Sequence, residues 1–516
     1  MMPANKNDNG VSLKQLLHGV AEVDSKDDRV IAGLSLNSNT VNPGDVFCAL
    51  AGQKEHGLNY AAQAIQRGAC AVIWEANTMQ DDVVMLDSLS KHVPLIPVVN
   101  LKLQLGKIAE RYFGEPSKQL CVIGITGTNG KTSCSQFLAQ GLNQDAPSCV
   151  IGTLGNGFID RLQQATHTTP DAITLHSLLA EFHQQGAKNV VMEVSSHGLE
   201  QGRASGVDFE IAIFTNLSRD HLDYHGDMSA YGNAKKLLFE MPCLKTAIIN
   251  ADDEFGASLA DSLQGKLEVI RYGVSQHHDS LDVRASKVRV DSAGLHFDVI
   301  TPWGSGIVSS SLLGRFNVSN LLAVLAALLS RGVRFEEALL RISQMSNVSG
   351  RMERIPSHEG QALFVVDYAH TPDALAKALQ SLREHVDYKK HGKLWCVFGC
   401  GGDRDQGKRP AMGEAAEQFA DHVIITDDNP RTEPASHIVS QILNGVLKQQ
   451  DVVVNHDRVA AIKHAMDHAT ERDVVLVAGK GHEDYQIIGA EKRAYEGDAK
   501  VVARLLADEQ DSRGGS

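Results

Sequence analysis

Short apolar runs recur along this chain, and helical patterns fill the intervals between them. The runs are "CVIGIT" from 121, "NVVMEV" from 189, "IAIFTN" from 211, "TAIIN" from 246, "LFVVDY" from 363, "KLWCVFG" from 393, "HVIITDD" from 422 and "DVVLVAG" from 473. Such alternation predicts an α/β architecture built on parallel sheet. Each run gives way to Gly, Asn, Asp, Ser or His, which marks the carboxyl edge where open α/β sheets hold their ligands. Chemistry is therefore expected at the strand ends.

At 516 residues the chain exceeds what one hydrophobic core can organise, and about three domains are expected. Residues 1–105, with "DVFCAL", "CAVIW" and "LIPVVN", read as a small N-terminal α/β domain. Residues 106–347 form a central α/β domain that carries a glycine loop and a β-rich insert at 281–309. "NVSGRMERI" at 347–355 reads as a hinge into a C-terminal α/β domain, 348–516, whose tail "DEQDSRGGS" is expected to be disordered. The formal charge of -14 argues against a nucleic-acid or anionic-membrane partner, since both require a basic surface. The most apolar run, "LLAVLAALL" at 321–329, falls well short of the ~20 residues of a membrane span, so a soluble cytoplasmic protein is expected. Eight cysteines without a Cys-x-x-Cys pair read as buried free thiols, with neither a disulfide framework nor a zinc site.

"GITGTNGKTS" at 124–133 follows a strand and ends like a phosphate-binding loop. The common P-loop pattern places a glycine four residues before Gly-Lys-Ser/Thr, and here Ile125 stands at that position. The physics of phosphate binding nevertheless survives. Gly127 and Gly130 let backbone N–H groups converge, a helix beginning near Lys131 offers its positive end, Lys131 adds a charge and Thr132 can reach Mg²⁺. The competing readings are a glycine turn with a solvated lysine, or a generic P-loop kinase or GTPase, which the spacing disfavours.

The form "GTNGKT" resembles the Mur ligase and folylpolyglutamate synthetase superfamily of ATP-dependent amino-acid ligases. Further stretches fall in that family's order: "HTTPD" at 167, "MEVSSHGLEQGR" at 192, "TNLSRDHLDYHG" at 215, "GRFNVSNLLA" at 314, "GRME" at 350, "VDYAHTPDAL" at 366, "FGCGGDRDQGKRP" at 398, "TDDNPR" at 426 and "AGKGHEDYQ" at 478. The resemblance covers nearly the whole chain. It implies three α/β domains: an N-terminal UDP-sugar domain, a P-loop-type ATPase domain, and a Rossmann-like domain that binds the amino acid. The implied reaction activates a carboxylate of UDP-MurNAc-L-Ala-D-Glu as an acyl phosphate. The amine of meso-diaminopimelate then attacks, a step of cytoplasmic peptidoglycan precursor synthesis carried out by a monomer.

The resemblance also implies roles for individual residues. Gly127, Thr128, Asn129, Gly130, Lys131, Thr132 and Ser133 would cradle the ATP phosphates. Asn317 and Asn320 would meet adenine, and Arg351 would reach the phosphates. Thr132, Glu193 and His221 would hold Mg²⁺. Lys235, carbamylated by CO₂, would help hold a second ion, although taken alone it reads as a helix-surface lysine; carbamylation needs the neutral amine that desolvation favours. Lys236 points about 100° away on a helix, so only one of the two should face the site. Asp367 and His370 would complete the nucleotide site, with domain closure coupled to catalysis. The UDP-sugar dipeptide would meet Leu36, Ser38, Gln53, Lys54, Glu55, Thr168, Thr169, Ser195, Gln201 and Arg203. Here the family's Asp-Ser-Arg reads Asn37-Ser38-Asn39, and its Asp-Gly reads His56-Gly57. Diaminopimelate would meet Arg404, Asp428, Asn429, Pro430, Arg431, Gly479 and Glu483, the arginines taking the far carboxylate that lysine lacks. Two rivals remain: a folylpolyglutamate synthetase-like ligase, disfavoured by "DNPR", and a catalytically silent nucleotide-binding regulator, disfavoured by the joint presence of Glu193, His221, Lys235 and Asp367.

Overall fold

Each of these apolar runs forms a strand, and each pairs in parallel with a neighbour. The computed structural model describes residues 10–52, 55–76, 83–274, 281–358 and 360–514. By packing, the chain divides into Met1–Arg271 and Tyr272–Ser516, a division that falls within the strand Glu268–Gly273.

In the first unit, four parallel strands run in the order Gly33–Ser35, Asp45–Ala49, Ala71–Glu75, Leu95–Val98. Glu75, at the end of its strand, is buried and accepts from the N–H groups of Leu101 (2.8 Å) and Lys102 (2.9 Å). It thereby caps the helix Leu101–Tyr112, where Asn100 at φ 53° makes no side-chain cap. That helix joins the sheet to the rest of the unit. Its Gly106 lies so close to Ser205 that a Cβ would sit 1.7 Å from the Ser205 carbonyl oxygen, and its Glu110 meets the buried His176 ring at 2.6 Å. A second sheet follows the order Thr246–Asn250, Phe209–Phe214, Cys121–Thr126, Asn189–Glu193, Ser148–Gly152, and ends in the antiparallel pair Gly155–Phe158 and Arg161–Gln163. Side chains from these strands and the helix Ala172–Gln184, including Val122, Met192, Phe209 and Leu179, build one core.

In the second unit, the insert is an antiparallel meander of Val283–Asp291, Gly294–Thr301 and Gly304–Ser310. The run "LLAVLAALL" lies within the buried helix Phe316–Ser330, and among the described residues no helix is long and apolar enough to cross a membrane. Beyond it stands a sheet in the order Glu353–Ile355, Leu363–Asp367, Val474–Ala478, Leu394–Phe398, His422–Ile425, Val452–Val454, parallel except for its first strand. The insert packs with this later part of the chain. His385 bridges the carbonyl of Asp291 and the N–H of Gly314, and Arg354 donates to the carbonyls of Ser292 and Ala293. Those bonds hold the insert in the same packing unit as the later part of the chain.

Two expectations are corrected. As far as Gly514 the tail is helical, within the helix Asp498–Gly514, and Gln361 ties Glu509 down at 3.1 Å. The cysteines are free, but Cys243 is exposed and Cys70 only partly covered, because "PCL" lies in a loop rather than in an apolar strand.

The C-terminal helix is fastened at its first residue. Buried Asp498 takes two bonds from Arg458, both 2.7 Å, and one from the Tyr495 hydroxyl at 2.8 Å, while Arg458 also donates to the Ala478 carbonyl. Removing one member of such a pair strands the other charge, which costs about 3–5 kcal/mol. Asp498→Ala should therefore lower the thermal midpoint by several degrees in a melting experiment, whereas Asp508→Ala, on the exposed face of the same helix, should leave it unchanged.

Candidate functional site

The glycine loop leaves the central strand of the larger parallel sheet, and its neighbours hold it. Gly127, at φ 152°, passes so close to Thr215 that a Cβ would lie 1.9 Å from the hydroxyl. The Thr215 hydroxyl donates to the Asn129 carbonyl at 2.6 Å, and the Asn216 side-chain oxygen accepts from Asn129 N–H at 3.0 Å. Gly130, at φ 85°, turns the chain into the helix Lys131–Leu142. The Lys131 ammonium folds back onto the carbonyls of Gly127 (2.8 Å) and Thr128 (2.9 Å), so it lies over the loop's mouth.

Register brings the first carboxylate. Glu193 ends its strand opposite Ile125, buried, and accepts from the Thr132 hydroxyl (2.9 Å), Thr153 N–H (2.8 Å) and the Thr153 hydroxyl (3.1 Å). A threonine hydroxyl and a carboxylate oxygen at the phosphate loop suit Mg²⁺, which binds few protein ligands and completes its shell with water and phosphate oxygens. Among the described residues no three His, Cys, Asp or Glu side chains converge to hold a metal. His221 lies in an aromatic group. Half exposed and at φ 52°, it has the His197 ring at 4.9 Å and the Tyr231 ring at 6.2 Å.

Lys235 is no surface residue. On the helix Met228–Lys236 it is 1 % exposed, with its amine 4.2 Å from the centre of the Tyr231 ring, while Lys236 points to solvent and pairs with Glu240 at 3.7 Å. Burial, with a lesser push from the Lys131 charge, pulls the Lys235 amine down to about 6 from its usual 10.5. The Tyr231 hydroxyl in turn lies 3.2 Å from that of Thr128, linking this lysine to the loop.

A cavity of about 760 Å³ in the same unit is lined by Leu36, Ser38 and Glu55 on one side and by Gln201 and Arg203 on the other. The Arg203 guanidinium is held by neutral oxygens, those of Gln201 and the Thr169 carbonyl. The Thr169 hydroxyl donates to the Glu193 carbonyl (2.9 Å) and contacts Ser195, while Thr168 meets Thr153 at 3.1 Å. These three bonds tie the cavity wall to the phosphate side. The departures from the family pattern have structural replacements. Ser38 donates to Gln63, which donates to Asn39, whose N–H meets Asn37. His56 accepts from Leu58 N–H at 3.0 Å and so caps the short helix Gly57–Tyr60, as an aspartate there could. Glu55 accepts from the Tyr60 hydroxyl; Gln53 and Lys54 lie outside the described residues.

In the second unit the expected residues again follow parallel strands. Burial holds the Asp367 carboxyl above the usual carboxylate range, although it accepts from Met352 N–H (2.7 Å) and Ala369 N–H (2.8 Å) and feels the charge of Arg351. Arg351 lies over the Tyr368 ring with its Nε buried and unpaired, and His370 bonds the Tyr368 carbonyl. Asn317 and Asn320 are buried one turn apart, Asn320 donating to Asn317 at 2.8 Å and Asn317 to the Leu313 carbonyl at 2.7 Å; neither is the helix N-cap. Arg404 and Arg431 flank Gly401, where a Cβ would lie 3.7 Å from Arg404 Cγ and 2.9 Å from Arg431 Nη1. Arg431 itself is held at φ 51° by N–H···O bonds to and from the hairpin, with Ile487 and Gly489. Asn429 donates to Glu483 at 3.0 Å, and Asp428 lies 3.7 Å from where a Cβ on Gly479 would be.

Some residues at these sites escaped the sequence reading. Thr153, Tyr224, Tyr231, His197 and His225 carry no pattern of their own, although four of them stand within or beside quoted motifs. Arg409, fully buried, clamps Glu433, Gln441 and the Gly401 carbonyl, and Lys480, also fully buried, sits beneath Asp428 and Asn429. Neither charge in "GKRP" or "GKGH" signals burial.

Comparison with known proteins supplies the family. Three family models match: "Mur ligase family, catalytic domain" at residues 30–113, "Mur ligase middle domain" at 125–328 and "Mur ligase, glutamate ligase domain" at 350–481. A Coxiella burnetii protein named UDP-N-acetylmuramoyl-L-alanyl-D-glutamate–2,6-diaminopimelate ligase is 47% identical over 483 residues, covering 93% of this chain and 96% of the relative. A Pseudomonas aeruginosa protein of the same name is 46% identical over 481 residues, again with 93% and 96% covered. A solved structure of a ligase of that name aligns with a TM-score of 0.73 at 37% identity, over 97% of this chain and 99% of that one. With its glycine loop, strand-end carboxylates and end-to-end likeness to such proteins, the chain belongs to the Mur ligase family and has that family's three-domain α/β fold.

Proposed function

We propose that this chain is a cytoplasmic, monomeric ATP-dependent ligase that joins the D-Glu γ-carboxylate of UDP-MurNAc-L-Ala-D-Glu to an amine of meso-diaminopimelate. On this reading residues 1–105 bind the UDP-sugar, 106–347 bind ATP and 348–516 bind the amino acid. The observation that carries it is the Thr132–Glu193 contact directly behind the glycine loop, in a chain 47% identical to a protein named for this reaction.

The chemical obstacle is a carboxylate approaching a triphosphate, anion against anion. Backbone N–H groups at the start of the helix Lys131–Leu142 and the Lys131 ammonium stabilise charge as the γ-phosphoryl group passes to the carboxylate oxygen. ADP leaves and an acyl phosphate remains. The neutral amine of diaminopimelate then adds to the acyl carbon, inorganic phosphate departs, and the nitrogen's proton passes to solvent. Thr132 and Glu193 would hold Mg²⁺, which when bound supplies the positive charge that offsets the phosphates. Asn317 and Asn320 would receive adenine, with Arg351, Asp367 and His370 near the phosphates. Leu36, Ser38, Glu55, Gln201 and Arg203 would grip the UDP-sugar dipeptide, backed by Thr168, Thr169 and Ser195.

Lys235 fits carbamylation because its amine is largely neutral near pH 7. Its nitrogen would bond to the carbon of CO₂ and release one proton, leaving an anion that with His221 holds a second ion.

The defining test is phosphate release from ATP with UDP-MurNAc-L-Ala-D-Glu and either meso-diaminopimelate or L-lysine. Release should require all three substrates, and diaminopimelate should be preferred by a factor on the order of 10⁴, because lysine leaves Arg404 and Arg431 without a carboxylate. Arg431→Ala should lose most activity with diaminopimelate and narrow that gap. Equal use of L-lysine by the unmodified chain would sink this account of the pocket. Lys131→Ala should lower turnover on the order of 10²–10³-fold while the protein still melts normally.

Lys235 also makes a prediction that needs no turnover. Its folded-state pKa lies far below its unfolded one, so between about pH 6 and pH 10.5 the unfolded chain binds the extra proton. Stability should therefore rise with pH across that window, by about 1.4 kcal/mol per unit. In bicarbonate-free buffer, Lys235→Met should be inactive yet melt above the unmodified chain at pH 6.5, with the gap narrowing by pH 8.5. Added bicarbonate should raise the melting temperature of the unmodified chain alone; an equal response in both would argue against the carbamate.

A further inference from the structure

Lys480 is fully buried, yet the reaction as described gives it no part. Its position follows from the two glycines beside it. Gly479 at φ 112° and Gly481 at φ 53° fold the turn so that the side chain between them points inward, and a Cβ on Gly481 would lie 2.8 Å from that of Tyr368. Its ammonium donates to Asn429 Oδ1 at 3.1 Å and to the Tyr485 carbonyl at 2.8 Å, and it pairs in charge with Asp428 Oδ1 at 3.1 Å. Glu483 Oε2 is further away, at 3.6 Å.

The consequences reach the residues assigned to the amino acid. Asn429 Oδ1 accepts from both Lys480 and Ile487 N–H (3.0 Å), which fixes the amide's orientation. Its Nδ2 must then face Glu483, and it donates to Oε2 at 3.0 Å, leaving Oε1 free of that bond. Charge is set as well. Lys480 stands against two carboxylates, Asp428 and Glu483. Without it both would lose this cation, and Asp428 Oδ1, buried and without a hydrogen bond, would lose its ion pair.

We propose that Lys480 is the positioning residue of the amino-acid pocket, orienting Asn429 and Glu483 and biasing the pocket toward a zwitterion with a far carboxylate over the cation lysine. This rests on the reading of Asp428–Arg431 and Gly479–Glu483 as the diaminopimelate pocket. Meso-diaminopimelate is neutral overall at pH 7, whereas lysine carries one positive charge. Removing an ammonium from beneath two carboxylates therefore favours lysine and disfavours the carboxylate end of diaminopimelate.

The test compares the unmodified full-length chain with Lys480→Met and Lys480→Arg in the phosphate-release assay. For Lys480→Met, KM for diaminopimelate should rise roughly tenfold or more, KM for ATP and for the UDP-sugar dipeptide should stay within about twofold, and the diaminopimelate-to-lysine ratio of kcat/KM should fall roughly tenfold or more. Lys480→Arg keeps the charge and should hold that ratio within about threefold even where turnover drops. A lysine that merely supports the fold would lower kcat and the melting temperature and leave the ratio unchanged, and that result overturns the proposal, as does an arginine variant that loses selectivity. If Lys480→Met does not fold, Lys480→Gln, uncharged but able to donate, carries the same expectation and the same overturning result. An unmodified chain with no preference for diaminopimelate would instead bring down the pocket assignment, and it would show before any variant is made.

Discussion

The parallel pairing that sets Ile125 opposite Glu193 is what the rest of the first unit depends on. Parallel strands end on the same side, so the glycine loop and a carboxylate meet at one edge without either being driven through the core. A slip of one residue would turn Glu193 to the other face of the sheet and leave Thr132 without its partner. Backbone closeness does the remaining work. Gly152 lies where a Cβ would come within 2.2 Å of Glu193 Oε1, and Gly127 where one would strike Thr215. The site is thus compact because glycines surround its charged atoms, with Glu193 met by hydroxyls and an N–H group and Lys131 by loop carbonyls.

The second unit repeats the arrangement with different contents. Asp367, Arg404, Asn429 and Gly479 follow four strands that are adjacent in the sheet, so residues far apart in sequence share one edge. A short hairpin, Tyr485–Ile488 with Glu491–Ala494, then overrides local preference at Arg431. Its hydrogen bonds hold that residue in the left-handed region, which a non-glycine residue adopts only when its surroundings insist. The strained arginine therefore marks where the tertiary structure aims a side chain.

Much of this was legible in the sequence, for identifiable reasons. Strands such as Cys121–Thr126 and Val474–Ala478 are buried throughout, and continuous apolar runs reveal them. Short edge elements such as Arg161–Gln163 and Glu491–Ala494 are largely exposed, and nothing in their composition separates them from loops. The glycine loop announced its chemistry through spacing, but the packing division at Arg271 did not appear, because it depends on His385 and Arg354 reaching back to the insert across many residues. The helical tail failed for a related reason: its polar sequence reads as disorder, whereas Asp498 and Arg458 anchor it from a distance. Burial of polar residues is the common gap. Lys235 and Lys236 are chemically the same letter, and only the fold places one under Tyr231 and the other in solvent.

Two buried lysines then show how one side chain serves opposite ends. Lys235 faces an aromatic ring, has no ion pair among the described residues, and feels the charge of Lys131, so desolvation strips its proton and leaves a nucleophilic nitrogen. Lys480 is equally enclosed, but an amide oxygen, a carbonyl and a carboxylate surround its nitrogen. Burial alone therefore decides nothing about a lysine; the number of oxygens within reach does. Where the fold supplies none, the amine is held well below its usual pKa, and where it supplies three, the residue becomes a fixed point around which Asp428, Asn429 and Glu483 are arranged. The same cost of burying an amine is met in one place by a lowered pKa and in the other by surrounding the nitrogen with oxygens.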